Sequence, residues 1–412
     1  MTENSFSRRR FLQAAGAAGV WTQASASAGS RAEAPSVSLN DAREIGISKW
    51  DLDTPALCVD LDALEANLST MQKTVGQNRI ASRPHAKTHK CPAIARLQLA
   101  TGSVGICVAK VSEAEVMFEY GIDRILMTTT NVTPYKIQRA MMLRKWCPQF
   151  IQATDSPNNA RDLSEAAQAV GVVADVVVDV DPGGHRTGIT PGEPALELAR
   201  LVDALPGLTL RGILCYDGGS QHVKGFPQRR AQTLERLAAA AETFASMKQS
   251  GLSTEIFSGG GTGTYNIDHE TSGLTDVQVG SYIFMDAQYL AIGGKTDPEL
   301  YSDFEPSLTI LTTVLNDQYE GQATTDAGAK SCTINQPWAI VKGETGMTYR
   351  SGSDEFGTVG YENASRTYRV GDKLELIISH CDPVVNLYDQ MYAVRNDRVE
   401  AVWPIAARGK ST

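Results

Sequence analysis

Short apolar runs alternate with longer amphipathic stretches between Pro55 and about Asp286. Stretches such as Asp60–Val75 and Pro227–Ser250 repeat their apolar residues with the period of an α-helix. The apolar runs themselves are short, as buried parallel strands are. Eight of them end at Lys87, Ala109, Thr129, Thr154, Val180, Tyr216, Ser258 and Phe284. Eight strands that alternate with helices predict a (β/α)8 TIM barrel, and an open doubly wound sheet is the alternative.

The pattern changes beyond Tyr301. Residues 308–314, 373–378 and 390–394 read as short strands with alternating side chains, and turn residues separate them. This pattern predicts a smaller, mainly antiparallel β domain. We therefore expect a barrel over residues 50–300 and a β domain over residues 301–412.

The beginning of the chain has the order of an export signal. A basic segment, residues 7–10, precedes the mildly apolar stretch Ala14–Trp21, and small residues then offer an Ala-x-Ala cleavage site. Paired arginines before Phe-Leu are similar to those of twin-arginine (Tat) signals. We predict a twin-arginine signal peptide over residues 1–28, a linker over residues 29–49 and a periplasmic protein exported by the Tat machinery. A disordered basic tail is the alternative.

Composition excludes several classes of function. Acidic residues outnumber basic ones by 47 to 38, so no domain-wide basic surface for nucleic acid is expected. No apolar run reaches the roughly 18 residues of a spanning helix, so stable membrane insertion is not expected. The seven cysteines are an odd number and lie mostly in apolar runs, which predicts buried free thiols.

Candidate chemistry follows the predicted strands, because the reactive groups of a barrel lie at the carboxyl ends of its strands. Lys87 ends the first run, with Arg83, His85 and His89 close by in sequence. Burial and cationic neighbours would lower the pKa of this lysine, and its neutral amine could then form a Schiff base. A solvated basic loop is the alternative.

A glycine-rich segment, residues 258–265, follows the seventh run. Consecutive glycines let backbone N–H groups face an anion, and the threonines add hydroxyl donors. Gly280–Tyr282 could complete the site, since barrels commonly bind phosphate after strands 7 and 8. The segment lacks both the P-loop and the dinucleotide pattern, which favours a small phosphate group. A flexible turn is the alternative.

Two further loops carry candidate residues. Arg186 follows the fifth run and could pair with a phenolate or carboxylate oxygen, or form an ordinary strand-end ion pair. Tyr216 follows the sixth run and could contact a planar cofactor. His222, in the same loop, could move a proton or could be a solvated histidine.

His380 and Asp382 of the β domain are two residues apart, so both would point the same way from an extended segment while Cys381 points away. Imidazole nitrogen and carboxylate oxygen together suit Mn²⁺, Mg²⁺ or Zn²⁺. Two protein ligands leave positions for water and substrate. An isolated His-x-Asp sequence is more often part of a capped turn than a metal site, so a capped turn is the alternative.

Taken together, the motifs resemble those of the D-threonine aldolase and D-serine dehydratase family. The resemblance extends from about Trp50 to Trp403. The segments that carry it are Arg83–Lys90, Ser258–Thr264, Gly280–Asp286 and His380–Tyr388. It implies an alanine-racemase-like barrel with a β domain, pyridoxal 5′-phosphate (PLP) and a divalent metal (Mn, Mg or Zn) as cofactors, and a homodimer.

The resemblance also implies roles for individual residues. Lys87 becomes the Schiff-base lysine, Arg186 lies near the cofactor phenolate oxygen, and Tyr216 approaches the pyridine ring. His380 and Asp382 ligate the metal. Apart from the resemblance, we favour His222 as the base, with His85 as the second choice. The phosphate contacts are Ser258, Gly260, Gly261, Thr262, Gly280, Ser281 and Tyr282.

The implied reaction is retro-aldol cleavage of a D-3-hydroxy amino acid such as D-threonine to glycine and an aldehyde. Dehydratase-type members usually have cysteine at the position of Asp382, which favours the aldolase. A D-serine or D-3-hydroxyaspartate dehydratase is the alternative, and a non-catalytic periplasmic PLP- or amino-acid-binding protein is a second one. An alanine-racemase-like isomerase would not need the metal pair. Asp217 and Phe356 stand where the family commonly has histidines, and these departures bear on the substrate.

Overall fold

The computed structural model describes residues 41–412. The predicted signal peptide and residues 29–40 of the predicted linker lie outside this range. The strands are β1 (Ala56–Asp60), β2 (Ala81–Ser82), β3 (Ile106–Val108), β4 (Ile125–Met127), β5 (Ile151–Thr154), β6 (Ala174–Asp179), β7 (Leu208–Cys215), β8 (Ile256–Gly259), β9 (Asp276–Val277), β10 (Leu308–Asn316), β11 (Gln322–Thr325), β12 (Ile340–Val341), β13 (Met347–Ser351), β14 (Gly357–Tyr361), β15 (Lys373–Ile377), β16 (Gln390–Arg395) and β17 (Arg398–Pro404). The helices are α1 (Asp41–Glu44), α2 (Leu61–Gln77), α3 (Pro92–Ala100), α4 (Val111–Glu119), α5 (Pro134–Trp146), α6 (Pro157–Val170), α7 (Glu193–Ala204), α8 (Phe226–Gln249), α9 (Ala287–Leu290), α10 (Ala329–Cys332) and α11 (Cys381–Val385).

Eight parallel strands form the first sheet, in the order β2-β9-β8-β7-β6-β5-β4-β3. The two ends of this order meet, because the Cys107 N–H donates to the Pro84 carbonyl at 2.8 Å and His85 pairs with Cys107 in a parallel bridge. The sheet therefore closes on itself. The predicted barrel is confirmed, and the doubly wound alternative is excluded.

The helices between the strands begin and end where local chemistry dictates. In α6, the Ser156 hydroxyl accepts a hydrogen bond from the Asn159 N–H, and Pro157 occupies the first turn. Gly171 ends the helix in the left-handed conformation, which glycine adopts without steric cost. Between these caps, apolar residues such as Leu163 are buried against the barrel.

The first and last barrel strands are shorter than the runs that predicted them. After β2, Pro84 has no N–H for a ladder, and a 3₁₀ turn at Ala86–Thr88 follows. After β9, a second 3₁₀ turn spans Ser281–Ile283. Both segments were predicted as continuous strand. The two turns lie next to each other, since the His85 N–H donates to the Val279 carbonyl.

The second sheet has nine strands, and its main path runs β13-β14-β11-β10-β1-β16-β17. Most of its pairs are antiparallel, as predicted for the C-terminal part of the chain. One strand comes from elsewhere: β1 lies within residues 50–300, yet it pairs antiparallel with β10 and parallel with β16. Among the described residues, the chain therefore enters the second sheet at β1, forms the barrel, and returns to the second sheet at β10.

The thiol prediction is confirmed: all seven cysteines are free and buried. Among residues 41–412, no helix combines the length and the apolar character needed to cross a bilayer.

Candidate active site

The predicted site residues lie at the carboxyl ends of the barrel strands. Lys87 is in the turn after β2, Tyr216 directly follows β7, and Gly260 directly follows β8. Arg186 lies in the loop after β6, where its guanidinium carbon is 5.3 Å from the ring centroid of Tyr216. The β domain adds residues to the same face of the barrel.

Lys87 and Asp382 form an ion pair across the two domains. Their Nζ and Oδ2 atoms are 2.9 Å apart, and the side chains are 42% and 23% exposed. Burial lowers the pKa of Lys87, but the Asp382 carboxylate raises it, and the net pKa is above the ordinary value. The expectation of a lowered lysine pKa is therefore wrong for this structure, because the side chain nearest to the amine is an anion.

Asp382 also presents a free ligand atom. Its Oδ1 is buried and has no hydrogen-bond partner among the described residues. Buried carboxylate oxygens are normally bonded, so an unsatisfied one at this position fits a cation. His380 precedes α11, and its Nδ1 atom contacts Asp286, which leaves Nε2 for a metal. Over residues 41–412, no group of three or more metal-ligating side chains occurs. The pair His380 and Asp382 stays a predicted metal site.

Asp286 is a candidate site residue to which the sequence analysis assigned no role. It is fully buried, and its Oδ2 lies 3.2 Å from His380 Nδ1 and accepts the Cys381 N–H at 3.0 Å. Its Oδ1 accepts the Tyr289 N–H and so caps α9. Burial lowers the pKa of His380, but the hydrogen bond to Asp286 raises it, and the rise prevails. A carboxylate behind a metal-binding imidazole fixes the tautomer and orientation of the ring.

Cys381 stands between the two proposed ligands and does not share their role. Its side chain is fully buried, and burial raises the pKa of its thiol well above the ordinary value. A protonated thiol is a poor metal ligand. The expectation of an extended segment is wrong here, because Cys381 and Asp382 lie in the first turn of α11 and only His380 has extended backbone angles.

The two candidate bases have different surroundings. His222 is exposed, and its ring centroid is 4.5 Å from that of Tyr289. Burial of part of the ring lowers its pKa, so the imidazole is neutral near pH 7. His85 is buried, and both of its nitrogens have partners: Nδ1 accepts the Lys87 N–H, and Nε2 is 3.2 Å from the Thr128 hydroxyl. The two histidines therefore differ in exposure and hydrogen bonding, and the choice of His222 as the base stays a prediction.

Two turns form the predicted phosphate site. The Thr262 hydroxyl accepts the Tyr282 N–H at 3.0 Å, which joins the turn after β8 to the turn after β9. Gly260 has φ +62°, and a Cβ atom there would lie 2.0 Å from Asp268 Oδ2. A Cβ atom at Gly280 would lie 2.4 Å from the Thr88 hydroxyl. Neighbouring side chains therefore leave no room for a Cβ atom at either position, which favours glycine at both. Phosphate binding by these turns stays a prediction.

Ser258 is engaged elsewhere. Its hydroxyl donates to Asp276 Oδ1 at 2.6 Å and accepts from the Gln278 amide at 3.1 Å. Arg83 completes this buried network through its ion pair with Asp276. The structure gives the Ser258 side chain a role inside the barrel, away from the turn that was predicted to bind phosphate.

The two departures from the family pattern have different environments. Asp217 is buried, accepts the Gly219 N–H and the Ser220 hydroxyl, and so stabilises its own loop. That loop presents Gln221, whose Oε1 accepts the Gly263 N–H of the glycine-rich turn. Phe356 is 48% exposed on the connection between β13 and β14. Asp217 therefore stabilises the loop whose Gln221 contacts the glycine-rich turn.

Comparison with known proteins gives consistent matches over both domains. A family model described as alanine racemase, N-terminal domain, matches residues 59–288, and one described as putative serine dehydratase domain matches residues 307–394. A 3-hydroxy-D-aspartate aldolase of Paracoccus denitrificans (strain Pd 1222) is 37% identical over 89% of this chain and 94% of its own length. A D-threonine aldolase of Arthrobacter sp. is 37% identical over 87% of this chain and 94% of its own length.

A solved structure and a further relative also match both domains of this chain or most of its length. The crystal structure of D-threonine aldolase from Filomicrobium marinum superposes with a TM-score of 0.85 at 37% identity, over 89% of this chain and 99% of that chain. A D-threo-3-hydroxyaspartate dehydratase of Delftia sp. (strain HT23) is 30% identical over 67% of this chain and 72% of its own length.

Proposed function

Because the chain belongs to the family described as alanine racemase, N-terminal domain, and its 37% identical relatives are aldolases, we propose that it is a lyase that cleaves D-3-hydroxy amino acids between Cα and Cβ. The products are glycine and an aldehyde, and the cofactors are PLP and a divalent metal. One observation carries the proposal: Lys87 Nζ is 2.9 Å from Asp382 Oδ2. A lysine suited to bind PLP and a carboxylate suited to bind a metal thus share one small volume.

The residues present fit PLP. Lys87 is the lysine for the aldehyde, the joined turns at Gly260–Thr262 and Gly280–Tyr282 would hold the phosphate, and Arg186 with Tyr216 would lie beside the ring. Bound PLP would supply an electron sink for the pair left when Cα–Cβ breaks. The protein's part is to orient the substrate so that this bond faces His380 and Asp382.

The metal pair fits a substrate hydroxyl. Asp382 Oδ1 is unsatisfied, and His380 is oriented by Asp286. A metal held there would supply a Lewis acid that lowers the pKa of the β-hydroxyl. His222 accepts the hydroxyl proton, because its imidazole is neutral near pH 7, and its exposure lets it pass the proton to water.

Product analysis tests the reaction. The full chain with PLP and Mn²⁺ is incubated with D-threonine, and glycine plus acetaldehyde are expected. Formation of 2-oxobutanoate and ammonia would instead identify a dehydratase, the activity named for the 30% identical Delftia protein. Binding of PLP with no turnover of D-threonine, D-serine or either D-3-hydroxyaspartate would favour a non-catalytic binding protein. Omission of the metal, with and without a chelator, tests the metal requirement.

We also propose export by the Tat route to the periplasm and a homodimeric assembly. The sequence pattern of residues 1–28 supports export, and seven unpaired buried thiols are compatible with folding before export. Fractionation of cells that express the full chain, compared with a variant in which Arg8, Arg9 and Arg10 are lysines, tests the route. Retention of the wild-type chain in the cytoplasm would contradict it. Sedimentation of the purified chain tests the assembly.

A further inference from the structure

We propose that Arg229 supplies the buried positive charge that balances the phosphate group of the cofactor, acting from behind the glycine-rich turn. The inference rests on the proposed function, and specifically on PLP as the cofactor. It assigns a role to a residue outside every motif that carried the family resemblance.

Arg229 is an unusual residue because it is charged, fully buried and unpaired. It lies in the first turn of α8 and is 0% exposed. Buried charges in proteins are normally paired with an opposite charge. Among the described residues, however, no carboxylate lies within 4 Å of its guanidinium. The carboxylate of Asp303 acts on it from a greater distance, and that group already accepts hydrogen bonds from Tyr265 and Asn266.

The donors of Arg229 are taken up by backbone carbonyls. Nε donates to Gly263 O at 2.7 Å, Nη1 to Val223 O and Ile292 O at 2.8 and 3.3 Å, and Nη2 to Gly293 O at 2.9 Å. These bonds use four of the five N–H groups and leave the net charge of the guanidinium uncompensated. An anion nearby would lower the energy of this arrangement.

The glycine-rich turn lies directly against this charge. Gly263 is one of its residues, and the Tyr301 ring, 5.4 Å from the guanidinium carbon of Arg229, donates its hydroxyl to Thr262 O at 2.6 Å. Arg229 and Tyr301 thus hold two consecutive carbonyl oxygens of the turn. The negative ends of these peptide dipoles therefore cannot turn towards a bound anion. Only the backbone of the turn separates the positive charge of Arg229 from that anion.

The expected effect is specific for the phosphate group. At a separation of about 8 Å and an effective dielectric constant of about 20, removal of one charge weakens the binding of an anion roughly tenfold to a hundredfold. Pyridoxal contains the same ring and aldehyde without the phosphate. Loss of the charge should therefore weaken PLP binding and leave pyridoxal binding unchanged.

The test measures dissociation constants of the full chain for PLP and for pyridoxal by visible absorbance. Arg229→Gln removes the charge and keeps a donor for the carbonyls. Arg230→Gln is the matched control, because Arg230 lies on the same helix but has an exposed side chain that pairs with Glu270. The first variant should bind PLP at least tenfold more weakly with unchanged pyridoxal affinity, and the second should keep the wild-type preference for PLP. An equal loss for both ligands, or no loss, would overturn the inference.

A second variant covers the case in which Arg229→Gln does not fold. Arg229→Lys keeps a cation but loses most of the carbonyl bonds, and it should still prefer PLP over pyridoxal as the wild type does. Loss of that preference in a folded Arg229→Lys chain would also overturn the inference. Failure of the wild-type chain to bind PLP would instead refute the proposed function.

Discussion

Removal of the Asp286 carboxylate is expected to weaken metal binding although Asp286 is not a metal ligand. The carboxylate contacts His380 Nδ1 at 3.2 Å and accepts the N–H groups of Cys381 and Tyr289 at 3.0 Å each. In Asp286→Asn, one oxygen becomes an NH₂ group. If that group faces His380 and Cys381, two donors oppose it. The side chain should therefore flip, so that the NH₂ group faces the Tyr289 N–H instead.

The magnitude follows from these contacts. The flipped amide loses the cap of α9, which costs about 1 kcal/mol of stability. It still accepts from His380, but without the negative charge that strengthens the bond and the basicity of the ring. Loss of a partner behind a metal-ligating histidine typically costs about 10- to 100-fold in metal affinity. We expect the dissociation constant for Mn²⁺ to rise about tenfold in Asp286→Asn and about a hundredfold in Asp286→Ala.

The assay is calorimetric or spin-resonance titration of the PLP-loaded chain with Mn²⁺, together with urea unfolding. Asp326→Asn is the matched control, because Asp326 also accepts three hydrogen bonds, from Thr54, Thr312 and the Thr313 N–H, away from the metal pair. The control should lose stability and keep its Mn²⁺ affinity. Unchanged Mn²⁺ affinity in both folded Asp286 variants would refute the reasoning.

Three further predictions concern titratable groups of the site. Lys87→Ala should abolish the visible absorbance of lysine-bound PLP. In Mn²⁺ titrations the same variant should bind the metal more tightly, because the Lys87 ammonium no longer pairs with Asp382 Oδ2. Weaker Mn²⁺ binding by the variant would contradict the ion pair. Burial lowers the pKa of His222, so kcat/KM should fall only at acidic pH, below about 6.5. The variant His222→Gln should lose most of the rate and should no longer show this acidic decrease. An unchanged acidic decrease in the variant would exclude His222 as the base. Burial raises the pKa of Asp268 to about 8, so the folded chain keeps a proton that the unfolded chain releases above about pH 4. The free energy of unfolding should therefore fall as the pH rises from about 4 to 8, and Asp268→Asn should reduce that slope in urea unfolding; an equal slope in the variant would refute the assignment.

The barrel and its loops were predictable because their signals are local. Each barrel strand appears as a short apolar run, and the groups that follow such a run, among them Lys87 and Tyr216, lie at one end of the barrel by topology alone. The same reasoning could not place β1. Its apolar residues suit a strand of either sheet, and the choice depends on pairing with β10 and β16, far away in sequence.

The missed site residues depend on contacts between distant segments. Asp286 looked like the end of an apolar motif, and only its contact with His380, at a separation of 94 residues, gives it a role. The pKa of Lys87 had the wrong predicted direction for the same reason: its cationic neighbours are close in sequence, whereas Asp382 is close in space. A signal was present for Asp286, since an acidic residue after the last barrel strand is placed to face the site.

The junction between the two domains holds the parts of the site together. The N–H groups of Ala287 and Gln288, at the end of the barrel segment, donate to the carbonyls of Ile378 and Ser379 at 2.9 and 3.2 Å. Ile378 and Ser379 immediately precede His380. Their hydrogen bonds therefore fix the backbone that carries the metal pair relative to the barrel that carries Lys87. Either domain by itself would contain half of the site. Changes that loosen this junction should therefore reduce metal binding and lysine–cofactor alignment together, before they unfold either domain.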